Sequence, residues 1–495
     1  MRIHTLFFLF LILIAACGQV PEKDNKTRRQ DSSAQLLPIK EMRSDLSVLW
    51  SAITDMHPAY GIYTPADSLE NIYQATQKQL DTPMTEADFI SHMYPLISAL
   101  RCGHTQLHYS KNYKISKATH LPFEVLVDGE RAWITFHQTD SVSTGDEVIN
   151  INDTPANAII RHGADLYAMD GYNKTFKEIF LSEYGGFDDA CGRYYHWKAP
   201  YRVTVRAKDG YIKTIMAASM PSDAPQAAPV TSTDNKAGWV KATGEDQLPL
   251  QFSRDNSTAW LEVGPYQYGD TTVFKQAFIR IHKAGVKNLV LDLRHNTGGD
   301  IRIAMRLMSY LADSSYHMIA DLQSRLPDPS VNHFEKLFDT AVTAGFRTGF
   351  VPGQKEGRWY HIDASKEFGD LMGLQTLDPQ DHFNGRLFVL IDGATFSSGA
   401  HTAIAIRRYC KTAVFIGRET AGASDGCSGG TIQHLTLPNT GVIVEFPWMR
   451  VVSVAAKPVF GRGVMPDYPV EYKPEDIIRK TDLDIRKALT LIRKS

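Results

Sequence analysis

Apolar residues recur at two different spacings in the first half of the chain. Between Lys40 and Leu100 they follow the 3.6-residue period of a helix, which predicts a helical N-terminal domain. The positions that carry this period are Met42, Leu46, Leu49, Trp50 and Ile53, and later Phe89, Met93, Leu96, Ile97 and Leu100. The first helix is expected to end at His57-Pro58, because the residue before a proline is pushed away from the α region. From Leu121 to about Ala217, short alternating segments such as EVLVDG and RAWITF instead indicate β-strands joined by turns.

The second half carries short, continuous apolar runs, each followed by a turn and a helical stretch. The run at 289–293 leads into Gly298 and Gly299, and the run at 387–391 leads into a turn that contains two serines. Continuous apolar runs of this length are typical of strands that are buried on both faces of a parallel sheet, so this half is predicted to be an α/β domain. The segment 316–381 lacks clear periodicity, apart from a possible helix around 334–344, and is predicted to be an insertion over a site.

These patterns divide the chain into units. The predicted units are a leader at 1–17, a tether at 18–38, a helical domain at 39–115, a β-rich domain at 118–217, a linker at 218–248, and an α/β domain at 249–480 that contains the insertion 316–381.

Two serines occupy the predicted helix N-terminus that follows the strand at 387–391. Free backbone N–H groups and the positive end of the helix dipole at this corner could hold a developing oxyanion, which would make Ser397 a candidate nucleophile. Serines before helices are more often N-caps, and the local pattern alone does not separate the two interpretations. His104 lies in a glycine-containing turn just after the N-terminal helices, a position from which an imidazole can project into a cleft.

Composition changes this picture mainly at the N-terminus. The chain of 495 residues is 43% hydrophobic with a formal net charge of -2, so no basic excess points to a nucleic-acid partner. The apolar run 6–16 has the length of a signal peptide, and it leads through Leu13-Ile14-Ala15-Ala16 into Cys17. That sequence resembles the bacterial lipoprotein box, so Cys17 is predicted to be lipidated and to anchor the chain to a membrane of the cell envelope. The alternative is a secretory signal in which the cysteine is coincidental.

The remaining cysteines are Cys102, Cys191, Cys410 and Cys427. In an exported protein they could form two disulfides, in any of three pairings. The chain has no CxxC pair and no HExxH motif, so neither a zinc site nor any other metal or cofactor is predicted.

Four motifs in order resemble those of one enzyme family. LVLDLRHNTGG is followed by LIDGATFSSGA, then by FIGRETAG and finally by GRGVMPD. Together they resemble the C-terminal processing (tail-specific) serine peptidases, a family that includes the tricorn core protease. ALRCGHT is similar to the family's histidine turn. GDEVININDTP at 145–155 is similar to a PDZ domain, although an ordinary hairpin has the same composition.

The resemblance implies a crotonase-like α/β core with a helical N-terminal part and a PDZ-like insert. It also implies hydrolysis of peptide bonds through an acyl-enzyme, with Ser397 as nucleophile. The oxyanion would be held by the N–H groups of Ser398 and of Gly298 or Gly299.

The chain departs from the family at the residues that would activate the serine. Ala423 follows Thr420-Ala421-Gly422, where other members carry a lysine, so His104 becomes the expected base, as in the tricorn type. Gly103 stands where the tricorn protease has a serine, and Phe460 stands where it has a glutamate. The sequence therefore does not identify the carboxylate that orients the histidine. Glu445 and Glu419 are candidates, and Asp467 is a weaker one.

The sequence thus predicts a lipid-anchored serine endopeptidase of the bacterial cell envelope, facing the periplasm or the cell surface and acting on proteins or peptides. Two alternatives stay open. One is a catalytically silent lipoprotein that binds peptides or other ligands with the same fold, and the other is an acyl hydrolase that acts on esters.

Overall fold

The computed structural model describes residues 35–114, 119–220, 238–242, 248–366, 368 and 370–494. The predicted leader, the lipidation site at Cys17 and most of the predicted tether lie outside this part of the chain. Among the described residues, every helix is too short or too polar to span a bilayer.

Three helices form the N-terminal part, as the apolar period predicts. They are α1 (Ile39–Met56), α2 (Ala66–Gln79) and α3 (Glu86–Ala99). Helix α1 ends before His57, whose extended backbone is the conformation that the following proline favours. Helix α3 begins at Thr85 with a capping box, in which the Thr85 hydroxyl and the Asp88 carboxylate each accept a backbone N–H of the other residue. After α3 the chain turns through residues 100–105 into β1 (Gln106–His108) and carries His104 with it.

The next part is a five-stranded antiparallel sheet with helices on one side. Its strands are β2 (Phe123–Asp128), β3 (Arg131–His137), β4 (Glu147–Ile151), β6 (Tyr201–Arg206) and β7 (Ile212–Ala217), in the order β2-β3-β4-β6-β7, with the short β5 (Thr154–Pro155) beside β4. The helices are α4 (Ala156–Leu166), α5 (Thr175–Glu183) and α6 (Gly186–Asp189), the last continuing into a π-helical turn. The predicted turn at Asp209-Gly210 does join β6 to β7, with Gly210 at a positive φ of 89°. The alternating segments are therefore confirmed as strands with their own apolar core.

A seven-stranded, mostly parallel sheet forms the α/β part. Its strands are β8 (Trp239–Lys241), β9 (Leu250–Ser253), β10 (Thr258–Glu262), β11 (Asn288–Asp292), β15 (Arg386–Ile391), β16 (Val414–Gly417) and β19 (Tyr468–Pro469), in the order β19-β16-β15-β11-β10-β9-β8. One face packs against α7 (Lys275–Lys283), α8 (Ile301–Ser309) and α10 (Ser398–Tyr409). The other face packs against α12 (Leu483–Arg493). Burial of both faces explains why these strands appear in the sequence as unbroken apolar runs.

A third, antiparallel sheet is assembled from distant parts of the chain. In the order β1-β18-β12-β14-β13 it contains β12 (Asp321–Ser324), β13 (Phe350–Glu356), β14 (Trp359–Ala364) and β18 (Ile443–Val452), and β17 (Cys427–Thr436) also pairs with β18. Helices α9 (Thr340–Gly349) and α11 (Pro474–Ile478) complete the described elements. The predicted insertion 316–381 thus contributes three strands and a helix, and its phenylalanines share a core with the N-terminal helices. It is therefore packed secondary structure and not an irregular loop, and its position over a site stays a prediction.

The side chain of Arg294 ties the C-terminal helix to the end of β11. Its guanidinium Nη2 lies 2.7 Å from Asp292 and 3.0 Å from Asp482, and its Nη1 lies 3.0 Å from Asp484. Because this cluster is largely buried, removing the cation would leave three carboxylates desolvated without their partner.

We expect Arg294→Met to lower the free energy of unfolding by about 3–5 kcal/mol, because uncompensated buried charges are costly. Urea-induced unfolding followed by circular dichroism measures the change. Arg161→Met is the matched control, since Arg161 pairs with Glu130 at 3.8 Å between exposed side chains, and it should change the free energy by less than about 1 kcal/mol. If both substitutions lowered the free energy of unfolding equally, the stabilising role of the buried Arg294 cluster would be contradicted.

Candidate active site

Ser397 lies at a sharp turn between β15 and α10. The turn is held by Asp392, which is fully buried and whose Oδ1 accepts the N–H groups of Ala394 and Thr395 at 2.9 and 3.0 Å. Ser397 itself has φ 52° and ψ -126°, a backbone conformation that residues with a side chain rarely adopt. Its side chain makes no capping hydrogen bond with α10. The hydroxyl is therefore presented away from the helix, and the N-cap interpretation does not describe it.

The structure brings His104 to Ser397. The His104 Nε2 lies 3.0 Å from the Ser397 Oγ, which is hydrogen-bonding distance. The Phe396 ring packs on the imidazole with 4.6 Å between ring centroids. A Cβ at Gly103 would lie 2.6 Å from the Phe396 ring, so Phe396 excludes a side chain at residue 103. This contact is a physical reason for the glycine at the position where the sequence comparison expects a serine.

The environment of His104 favours the neutral imidazole. Burial lowers the pKa of His104 to about 4, against opposing effects of the Glu445 charge and the Ser428 carbonyl. The Nδ1 atom is buried and has no hydrogen-bond partner of acceptable geometry among the described residues. The Ser428 carbonyl is thus close enough to act on the ring without forming a well-aligned bond. A neutral imidazole at Ser397 can accept the hydroxyl proton.

The carboxylates expected from the sequence to orient His104 have other partners. Glu445 lies on β18, where its Oε1 is 2.9 Å from the His108 Nε2. Glu419 accepts two hydrogen bonds from the Arg462 guanidinium, at 2.8 and 2.6 Å, and one from the Gly463 N–H. Asp467 accepts the Phe415 N–H and pairs with Arg407. Glu419 and Asp467 therefore hold the closing motif in place, and neither reaches the imidazole.

A carboxylate that the sequence analysis missed, Asp170, lies beside His104. Its Oδ1 accepts the Gly103 N–H at 2.9 Å, and its Oδ2 is buried without a partner among the described residues. A ring nitrogen of His104, the Sγ of Cys102 and a carboxylate oxygen of Asp170 lie within 4.8 Å of one another. Burial raises the pKa of Asp170 to about 7. The only local signal was an acidic residue before a glycine in AMDGYN, a pattern that ordinary turns share.

The same three side chains are the donor set at this site that could hold a metal ion. Thiolate, imidazole and carboxylate are ligands that transition metals such as zinc accept, although the motif spacing used to predict such sites is absent from the chain. All four described cysteines are free and buried, so the structure contains none of the possible disulfides between them.

The glycine turn after β11 packs directly against the Ser397 turn. Gly298 and Gly299 have φ values of 96° and 132°, and a Cβ at Gly298 would lie 2.6 Å from the Ser397 Cβ. The Gly298 N–H donates to the Asn296 Oδ1 at 3.0 Å, so this N–H is already engaged. The Ser398 hydroxyl donates to the Gly299 carbonyl at 2.7 Å and holds the two turns together. Both turns follow the carboxyl ends of adjacent parallel strands, where ligands bind in open α/β sheets.

Comparison with known proteins gives a family match over part of the chain and a similar fold. Residues 257–470 match the sequence profile of peptidase family S41. The crystal structure of mature CPAF is similar at 17% identity, covering 92% of this chain and 97% of that chain with a TM-score of 0.58. A CPAF point mutant is similar at 15% identity, covering 89% and 95% with a TM-score of 0.60. The tricorn protease aligns at 14% identity over 92% of this chain and 36% of that chain, with a TM-score of 0.41. No curated protein matches the chain significantly by sequence.

Proposed function

Because residues 257–470 belong to peptidase family S41, we propose that this protein is a serine-type endopeptidase that cleaves proteins or peptides. The observation that carries the proposal is the 3.0 Å contact between the His104 Nε2 and the Ser397 Oγ. A nucleophile and its base must lie within hydrogen-bonding reach, and these two residues do so at a strand-to-helix turn. The same contact favours catalysis over the alternative of a silent binding protein, which would need no base beside Ser397.

The proposed reaction follows from the positions of these groups. The Ser397 Oγ attacks the carbonyl carbon of the scissile bond while its proton passes to the His104 Nε2. The oxygen that becomes negative accepts N–H groups from Ser398 at the start of α10 and from the glycine turn. Gly299 is the better assignment there, because the N–H of Gly298 already donates to Asn296. His104 then protonates the leaving amine, and water releases the acyl group by the reverse sequence of proton transfers.

We assign to Asp170 the role of stabilising the imidazolium that forms on His104 in this reaction. The His104 Nδ1 and the Asp170 Oδ2 both lack a partner among the described residues, so no direct hydrogen bond joins them. A ring nitrogen of His104 and a carboxylate oxygen of Asp170 lie within 4.8 Å of each other, and one water molecule can bridge them. A negative charge at this distance in a buried site stabilises the protonated imidazole. Asp170 is thus proposed in place of Glu419 and in addition to Glu445, whose charge also raises the pKa of His104.

The finer architecture is also a proposal. We assign a crotonase-like fold to the α/β part. In this part a strand, a turn and a helix follow one another at both turns of the candidate site. The β-rich part at 118–217 is assigned a PDZ-like role in binding unstructured protein ends by β-augmentation. Its edge strand β7 supports this role, because the side chains of Ile212 and Met216 are 52% and 62% exposed. We further assign lipid attachment at Cys17 and a position in the bacterial cell envelope, on the sequence pattern alone.

The proposal is tested by labelling the protein with a fluorophosphonate and locating the adduct by mass spectrometry. We expect a single stoichiometric adduct on the Ser397 Oγ and a parallel loss of casein cleavage. Matched ester and amide substrates, measured side by side, separate a peptidase from an esterase. An unlabelled Ser397 in a folded protein that still cleaves casein would contradict the proposal, and cleavage of the ester alone would favour the acyl hydrolase.

A further inference from the structure

Three side chains with metal-binding atoms meet at the turn that carries the catalytic histidine. The Asp170 Oδ1 accepts the N–H of Gly103 at 2.9 Å, and Cys102 and His104 flank that glycine in the chain. The Cys102 Sγ, a ring nitrogen of His104 and a carboxylate oxygen of Asp170 lie within 4.8 Å of one another. We call these three residues the donor cluster.

Two atoms of the donor cluster are buried without a partner. The side chains of His104 and Asp170 belong to residues that are 9% and 1% exposed, and the His104 Nδ1 and the Asp170 Oδ2 have no hydrogen-bond partner among the described residues. The other polar atom of each group is engaged, because the His104 Nε2 contacts Ser397 and the Asp170 Oδ1 accepts the Gly103 N–H. Buried polar atoms are nearly always satisfied, so two free ones beside the same thiol indicate a missing ligand.

The third donor favours a metal ion over a water molecule alone. Cys102 is buried, and its Sγ makes only a long contact of 3.7 Å with the Ser428 carbonyl. Thiolate, neutral imidazole and carboxylate together are ligands that zinc and similar ions prefer. Donor atoms about 2.0–2.3 Å from a tetrahedral ion lie roughly 3.3–3.7 Å apart, so shifts of about 1.5 Å at most would bring these three into position.

The charges of the donor cluster suit a divalent cation. A thiolate and a carboxylate carry two negative charges, which a divalent ion neutralises in a place where an unpaired charge is costly. Water can satisfy the free atoms in the metal-free enzyme, and the ion would take its place. The approach from solvent passes Ser397, which is partly exposed next to the His104 ring.

An ion on the His104 Nδ1 would prevent this residue from acting as a base. A neutral imidazole has one N–H, so coordination through the Nδ1 lone pair places the ring proton on Nε2. The Nε2 then donates a hydrogen bond to the Ser397 Oγ but has no lone pair to accept its proton. The charge of the ion also disfavours the imidazolium that the reaction forms.

We propose that Cys102, His104 and Asp170 bind a divalent transition-metal ion such as Zn²⁺, and that the bound ion inhibits the peptidase reversibly. On binding, the Cys102 thiol releases its proton to solvent and its sulfur coordinates the ion. The inhibitory role rests on the proposed peptidase function, whereas the binding site does not.

The test uses Co²⁺ as a spectroscopic substitute for Zn²⁺ on the reduced protein. A thiolate ligand gives Co²⁺ a strong charge-transfer band in the near ultraviolet, whose titration gives the Kd, and Zn²⁺ should displace the cobalt. Saturating Zn²⁺ should lower cleavage of a fluorogenic peptide without histidine or cysteine at least tenfold, with recovery after EDTA. Zinc K-edge X-ray absorption of the wild-type protein should show one sulfur ligand at about 2.3 Å, a measurement that needs no variant.

Single substitutions identify the ligands. Cys102→Ser should abolish the charge-transfer band and bring the ratio of activities with and without Zn²⁺ close to one. Asp170→Asn should weaken binding at least tenfold, since loss of an outer-shell partner alone costs a metal site about 10- to 100-fold in affinity. Circular dichroism verifies that each variant is folded.

Two further variants are the controls. Cys410 is also buried and free, but it follows the far end of α10 from Ser397 and donates to the Leu311 carbonyl. Cys410→Ser should therefore leave the band unchanged. Ser397→Ala should bind Co²⁺ as the wild type does, because its hydroxyl is not a donor to the ion.

Each failure has its own signature. Absence of a thiolate band in the folded wild-type protein, or a band that survives Cys102→Ser, would overturn the metal site. A bound ion that leaves cleavage unchanged would overturn the inhibitory role. If fluorophosphonate labelling and cleavage both fail while the Cys102-dependent band is present, the peptidase proposal fails and the metal site is supported.

Discussion

Ser397→Ala is expected to lower kcat/KM for casein or peptide cleavage by about 10⁴- to 10⁶-fold, with binding of substrate retained. The residue supplies the only atom in the proposed mechanism that forms a covalent bond with the substrate. The substitution removes the Oγ that lies 3.0 Å from the His104 Nε2 and leaves the turn around it intact, because Asp392 holds that turn through backbone N–H groups. Steady-state cleavage of a fluorogenic peptide, together with circular dichroism to verify folding, measures the effect.

The adjacent residue provides the control for this substitution. Ser398→Ala removes a hydroxyl that bonds to the Gly299 carbonyl but keeps the backbone N–H assigned to the oxyanion. We therefore expect a loss of no more than about tenfold, from looser contact between the two turns, which corresponds to one hydrogen bond of about 1 kcal/mol. If Ser397→Ala kept more than a tenth of the wild-type activity, the nucleophile would have to be another residue.

His104→Ala is expected to lower kcat/KM by about 10⁴-fold or more, because the serine hydroxyl then has no base to accept its proton. His108→Ala is the matched control. It lies four residues later, on β1, and bonds to Glu445, so it should leave activity within about threefold of wild type if Glu445 is not the orienting carboxylate. If His108→Ala lost much activity and His104→Ala lost little, His108 would replace His104 as the base.

The pH profile gives a second measurement of the same residue. His104 must be neutral to act as a base, and burial lowers its pKa to about 4. The kcat/KM of the wild-type protein should therefore decline in part as the pH falls through about 7, where Asp170 takes up a proton, and should be lost completely only as it falls through about 4. Circular dichroism across this range separates titration from unfolding. A complete loss of activity centred near pH 6.5, the usual value for histidine, would contradict the buried, neutral imidazole.

The parallel sheet was predictable because local sequence determines it. Buried parallel strands carry continuous apolar runs, and 289–293 and 387–391 became β11 and β15 with shifts of only a residue or two. The antiparallel sheet around β18 could not be found in the same way. Its strands come from residues near 107, 322, 353, 361, 431 and 447, and pairing between such distant segments leaves no local period in 316–381.

In the candidate site, too, some residues could be predicted from sequence motifs, and others are brought together only by tertiary packing. Ser397 and His104 were proposed from their motifs, and the structure places their side chains 3.0 Å apart. The partner of Glu419 was not predictable, because Arg462 lies 43 residues further along and competes for the carboxylate with two hydrogen bonds. Asp170 was missed because its proximity to His104 depends on how the β-rich part docks, which no spacing in the sequence records.

The distance along the chain between base and nucleophile has a consequence for biosynthesis. His104 and Ser397 are 293 residues apart, and their side chains meet only when the N-terminal helices and the α/β part are both folded. A nascent chain emerges N-terminus first. During most of its synthesis it therefore contains His104 but not yet Ser397. The proposed catalytic pair is thus completed only late, when the α/β part has been synthesised and has folded against the N-terminal part.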